Sequence, residues 1–156
     1  MASLNTRSIK ILIAFIFVLL FNLGCQGGGL KRPVGYMRLG LISELTKPET
    51  YFPEERLMLR HDERGFSVMS TVCTYDLSPL LKQKLQSSYV WVSSFTDSSY
   101  EADGKVRTGP TKADLPYYRL EFGAAAYGGP IDTIYVEVGV ERDKDFRLAL
   151  PVATAH

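Results

Sequence analysis

Apolar and polar positions alternate most regularly from Ile134 to Glu141, where Ile134, Val136, Val138 and Val140 share one side of an extended chain. This is the clearest strand in the sequence. Tyr117-Tyr118-Arg119-Leu120-Glu121-Phe122 alternates just upstream of it. Arg56-Leu57-Met58-Leu59-Arg60 alternates more weakly and stops at the charged turn His61-Asp62-Glu63-Arg64-Gly65. Phe66 to Val72 then resumes as a strand, so the two segments predict a hairpin. Tyr89-Val90-Trp91-Val92, within Ser88 to Phe95, is β-forming by residue type. Tyr36 to Leu45 carries apolar residues between charged or small ones, and Ala102-Asp103-Gly104-Lys105 reads as a tight turn.

One stretch has helical spacing: Pro79 to Gln86, with Leu80, Leu81 and Leu85, predicts about one turn of helix in a loop. Gly123-Ala124-Ala125-Ala126-Tyr127-Gly128-Gly129-Pro130 has no lysine and no following helix, so it reads as a crossing between strands and not as a phosphate loop. Turn signals recur roughly every ten residues and no internal repeat is visible, which favours an all-β chain built as a small antiparallel sandwich or barrel.

Composition narrows the class. Of 156 residues, 46% are hydrophobic and 22% charged, which excludes a disordered chain and a multi-span membrane protein. The 18 basic and 17 acidic residues nearly balance, and no basic patch points to nucleic acid. The two cysteines are Cys25 and Cys73.

The N-terminal segment changes the picture. Arg7 and Lys10 precede an unbroken apolar run, Ile11 to Phe21, that is too short for a span of about 20 residues. Asn22-Leu23-Gly24-Cys25 follows, and the whole is laid out as a secretory signal peptide. Leu23-Gly24-Cys25 resembles the lipobox of bacterial lipoproteins, although Asn22 stands where leucine is usual. The resemblance implies a leader over residues 1–24, lipidation at Cys25, and a tethered domain on the extracytoplasmic face of the bacterial cell envelope. An uncleaved anchor and plain secretion are the other readings. Gln26-Gly27-Gly28-Gly29 supplies a flexible link within a tether of residues 25–36, leaving residues 37–156 as the domain. With Cys25 lipidated, Cys73 has no disulfide partner and is expected as a free, partly buried thiol.

From Arg38 to Leu150 the order of features resembles Rieske ferredoxin-like domains. There a strand leads into Cys-Thr-His-Leu-Gly-Cys-Pro; here a strand leads into Cys73-Thr74-Tyr75-Asp76-Leu77-Ser78-Pro79. The family's second motif, Cys-Pro-Cys-His-Gly-Ser-x-Tyr, meets Ser93-Ser94-Phe95-Thr96-Asp97-Ser98-Ser99-Tyr100. Asp103-Gly104-Lys105-Val106, Gly109-Pro110 and Leu115-Pro116-Tyr117-Tyr118 follow in the family's order, and Leu41-Ile42-Ser43-Glu44-Leu45 looks like its opening segment. The resemblance implies a Rieske-like β fold with a loop-rich subdomain, in which Gly109 and Pro110 form the loop that covers the cluster.

The ligand positions depart from the pattern. A Rieske centre is held by two cysteines and two histidines. The resemblance places those roles at Cys73, Tyr75, Ser93 and Thr96, of which only Cys73 keeps its ligand type. The positions of the inter-loop disulfide read Ser78 and Phe95. Neutral hydroxyls are poor ligands for iron–sulfur clusters, and neither His61 nor His156 lies at ligand spacing from Cys73. No cofactor is expected. Tyr75, Leu77 and Phe95 are larger or more apolar than the residues they replace, which predicts a small hydrophobic plug in the vacated space.

Three functions follow. The first is an accessory or structural subunit of a membrane electron-transfer complex, anchored by lipid and docked to the other subunits. The second is a stand-alone envelope binding module with Trp91, Tyr100, Tyr117, Tyr118 and Tyr127 as a recognition surface, although aromatics at alternate strand positions are more often core. The third is an electron carrier with unusual ligands or ligands from a second chain. An enzyme is not expected: no Ser/His/Asp or Cys/His set stands out, Cys73 has no nearby histidine, and Asp76 and Asp97 read as solvated loop carboxylates.

Overall fold

Every regular element among the residues described by the computed structural model, 35–123 and 130–150, is a β-strand. In chain order these are β1 (Gly35–Leu41), β2 (Glu49–Phe52), β3 (Leu57–Asp62), β4 (Gly65–Ser70), β5 (Leu80–Leu85), β6 (Ser88–Ser93), β7 (Ser99–Glu101), β8 (Val106–Thr108), β9 (Tyr117–Phe122) and β10 (Thr133–Arg142). The leader, Cys25, Gln26 to Gly29, residues 124–129 and His156 lie outside the described residues. The strand β1 opens at Gly35, inside the expected tether.

Hydrogen bonding sorts the strands into two antiparallel sheets, ordered β1-β10-β9-β4-β3-β2 and β5-β6-β7-β8. The protein is all-β. The second sheet is an excursion of the chain between β4 and β9, which pair with each other through Val68–Tyr118 and Met69–Tyr117.

Period-two alternation explains how the two sheets share a core. Leu57 and Leu59 of β3, Phe66 and Val68 of β4, and Tyr118 and Leu120 of β9 point into one cluster with Leu39, Ile134, Val136 and Val138. The intervening Met58, Met69 and Tyr117 point the other way, into a second cluster with Cys73, Leu80, Trp91, Tyr100 and Leu115. Strands covered on both faces read as near-continuous apolar runs, and all six residues of β4 are buried. Gly104, at φ +85°, sits where a Cβ would come within 2.6 Å of the Met69 sulfur, so the β7–β8 turn packs directly on this second cluster.

A polar tie runs beside it. The half-buried Arg60 of β3 donates to Glu49 of β2 (3.3 Å), to the hydroxyls of Tyr117 (3.3 Å) and Tyr89 (3.0 Å), and to the carbonyl of Ala102. Tyr89 in turn donates to Glu49 at 2.6 Å. Burial, with the Glu49 carboxylate beside it, pushes the Tyr89 hydroxyl up to about 12, so it remains a donor.

The structure corrects the helical reading of Pro79 to Gln86. Leu80 to Leu85 form β5, paired residue by residue with Ser93 to Ser88 of β6. Only Leu80 is buried, while Leu81 and Leu85 are exposed, so the leucine spacing marks no common face. The tight turn at Gln86-Ser87 returns the chain at once to the β-forming Tyr89-Val90-Trp91-Val92 segment. That strand supplies a complete hydrogen-bond ladder, which outweighs a weak local helical preference.

Candidate functional site

Two loops meet at one end of the second sheet: residues 71–79, which join β4 to β5, and residues 94–98, which join β6 to β7. The first is a closed turn. Cys73 N donates to Ser78 O (2.8 Å), Leu77 N to Cys73 O (3.1 Å), and Leu80 N to Thr71 O (2.9 Å). Leu77 lies at φ 59°, the left-handed region that favours glycine. The turn therefore holds a glycine-like backbone under a leucine side chain.

The Asp76 carboxylate lies between the loops. Its Oδ1 accepts the Ser78 amide (2.9 Å) and hydroxyl (2.6 Å) from its own loop. Its Oδ2 accepts the hydroxyls of Ser93 (2.7 Å) and Thr96 (3.1 Å) across the gap. Ser93 Oγ then accepts the amides of Phe95 and Thr96, both at 3.1 Å. Partial burial works against the charge on Asp76. The hydrogen bonds from Ser78 and Ser93 outweigh it and hold the carboxyl well below the usual carboxylate range.

Beneath this lies a second set of bonds around Tyr100. Its hydroxyl accepts the Thr74 amide (3.0 Å), lies 2.9 Å from Thr74 Oγ1 and 3.0 Å from Thr111 Oγ1, and stands 3.4 Å from Cys73 Sγ. Cys73 and Tyr100 are both fully buried, and Cys73 is a free thiol. Burial, reinforced by the Cys73 contact, pushes the Tyr100 hydroxyl up, so it stays protonated. Gly109, at φ +102°, rests on the second loop so closely that a Cβ would fall 2.4 Å from Ser98 Cα. Pro110 beside it is exposed, and Thr111 turns back into the Tyr100 network.

The expected plug does not form. Tyr75 and Phe95 are 60% and 76% exposed, and Leu77 is only half-buried. The reason is the carboxylate: Asp76 and its hydroxyl partners already fill the space between the loops, and the aromatics on either side are turned out to solvent. Asp76 is therefore not a solvated loop carboxylate, whereas Asp97 is exposed as expected. Ser78 is buried and bonded to Asp76, while Phe95 faces away from it.

Of the four positions that the Rieske resemblance marks as ligands, Ser93 and Thr96 meet at Asp76, Cys73 lies in the Tyr100 network beneath, and Tyr75 is turned to solvent. No family model matches the sequence, and no curated relative matches it. The donor set speaks for itself. A Rieske cluster takes two thiolates and two imidazoles. Here one buried thiol faces a tyrosine hydroxyl, and the hydroxyls of Ser93 and Thr96 are spent on Asp76. No three His, Cys, Asp or Glu side chains converge among the described residues. These residues do not fit such a cluster.

Sequence reasoning missed Asp76 as the centre of the site and Thr74 and Thr111 as partners of Tyr100. The Asp76-Leu77-Ser78 spacing was the available signal, since an aspartate commonly accepts from the backbone two residues on. The aromatics weighed as a recognition surface are mostly interior: Trp91, Tyr100, Tyr117 and Tyr118 are buried, and Tyr127 lies outside the described residues.

Proposed function

We propose that this chain is a lipid-anchored, Rieske-fold protein without an iron–sulfur cluster that serves as an accessory subunit of a membrane electron-transfer complex. One observation carries the reading. The two loops that the Rieske resemblance marks as a cluster-binding pair meet at one end of the second sheet, and their facing side chains are hydroxyls closed on a carboxylate. On this reading, hydrogen bonds occupy the space that a cluster takes in a redox domain. The exposed Tyr75 and Phe95, one on each loop, then stand at the end of the domain that meets a partner subunit.

The test has two arms. Protein purified anaerobically should be colourless and lack both iron and acid-labile sulfide; about two irons per chain would overturn the cluster-free reading. From solubilised membranes the chain should co-elute with subunits that carry haem or iron–sulfur centres, and Tyr75→Ala/Phe95→Ala should abolish that co-elution without changing the melting temperature. Co-elution unchanged by the double variant, or none with redox subunits, would sink the accessory-subunit reading.

A further inference from the structure

We infer that Asp76 is a clasp: its two carboxylate oxygens, one serving each loop, lock residues 73–79 to residues 93–98 and thereby fix the backbone that carries Tyr75 and Phe95. The division of labour is visible in the contacts. Oδ1 takes both donors of Ser78 from its own loop, and Oδ2 takes Ser93 and Thr96 from the other. Ser93 passes the constraint on, because the hydroxyl that donates to Asp76 also accepts the amides of Phe95 and Thr96. Tyr75 is the residue immediately before the clasp.

The charge is needed for this wiring. Ser93 Oγ already accepts two amides, and Thr96 Oγ1 accepts the amide of Ser98 at 3.3 Å. Ser93 therefore has only its proton left to give, and Thr96 divides its proton between Asp76 Oδ2 (3.1 Å) and Ser98 Oγ (3.0 Å). An asparagine would turn an NH₂ donor either toward the Ser78 amide, which can only donate, or toward Ser93 Oγ, whose lone pairs are taken by two amides. Only a group that accepts on both faces satisfies both loops at once. The clasp stands on these distances alone; that it fills the mechanical place of a lost cluster rests on the function proposed above.

Amide hydrogen exchange on the full domain tests it. In Asp76→Asn, exchange at Phe95 and Thr96 should rise between about tenfold and a hundredfold, the loss of a charge-assisted bond, while β4, β9 and β10 keep their protection. The reciprocal variant, Ser93→Ala, should speed exchange at Cys73 and Leu77 on the opposite loop. Faster exchange confined to the mutated loop in both variants would overturn the clasp, and so would a uniform rise across both sheets. If Asp76→Asn does not fold, the Ser93→Ala result alone decides. The iron assay bears on the functional reading and the exchange on the clasp, so failure of one is distinct from failure of the other.

Discussion

Asp76 accepts hydrogen bonds from both loops, and its folded carboxyl is held below the unfolded value of about 3.9. A group depressed in this way contributes stability that is fully present above the unfolded value and is lost as pH falls through the folded one. The wild-type protein should therefore exceed Asp76→Asn in stability at pH 7, and the gap should narrow only below about pH 4. Denaturant melts across that range check this; a gap that closes between pH 7 and 5 would assign the effect to another group. Leu77 gives a second expectation. A left-handed backbone costs an ordinary residue about 1–2 kcal/mol, which offsets the added freedom that glycine brings to the unfolded chain. Leu77→Gly should thus be neutral or mildly stabilising, whereas the β-branched Leu77→Val should destabilise. Cys73, fully buried against Tyr100, should react with thiol reagents slowly in the native protein and quickly in denaturant.

At the scale of elements, burial reverses one expectation from the sequence and sharpens another. Phe95, at 76% exposure, has little to lose on truncation, so Phe95→Ala should change stability by no more than about 0.5 kcal/mol. Trp91 is fully buried between Tyr51 and Tyr89, at ring distances of 5.5 and 5.6 Å, and Trp91→Ala should cost about 3–5 kcal/mol. A thermal melt of the two variants side by side reads both outcomes. The contrast shows what was legible. Strands whose alternation is enforced by a core, such as β3, β4, β9 and β10, could be read directly, because period-two burial leaves its mark on the sequence. β2, β7 and β8 were not anticipated, since strands of three or four residues carry too few positions for a pattern. β5 was misread because its identity lies in its neighbour β6 and not in its own residues. The loops were located by motif order, but their contents were not: hydropathy puts phenylalanine inside and aspartate outside, and here a single carboxylate with four donors inverted both.

For the whole molecule, the proposed anchor at Cys25, which follows the run Ile11 to Phe21 and Leu23-Gly24, would put the all-β domain on a lipid. The stretch from Cys25 to the start of β1 at Gly35 has a reach of at most about 35 Å when fully extended. A domain held that close to the bilayer would meet partners at or near the membrane surface, which agrees with a subunit of a membrane complex better than with a free periplasmic carrier. One acyl chain binds a bilayer only reversibly, while several together hold effectively for good, so a fully lipidated Cys25 would keep the domain on one membrane. If Cys25 carries the lipid, Cys25→Ser or an inhibitor of lipoprotein signal peptidase should leave an uncleaved precursor of larger apparent mass, with no mature form in the membrane fraction. The domain itself should be unaffected, since Cys25 lies upstream of every strand among the described residues: a fragment that begins at Gln26 should fold, stay soluble, and show the same melting temperature as the anchored protein in detergent. Normal processing of Cys25→Ser would remove the lipid anchor from the proposal, and with it the argument that the partner lies within tether reach of the bilayer.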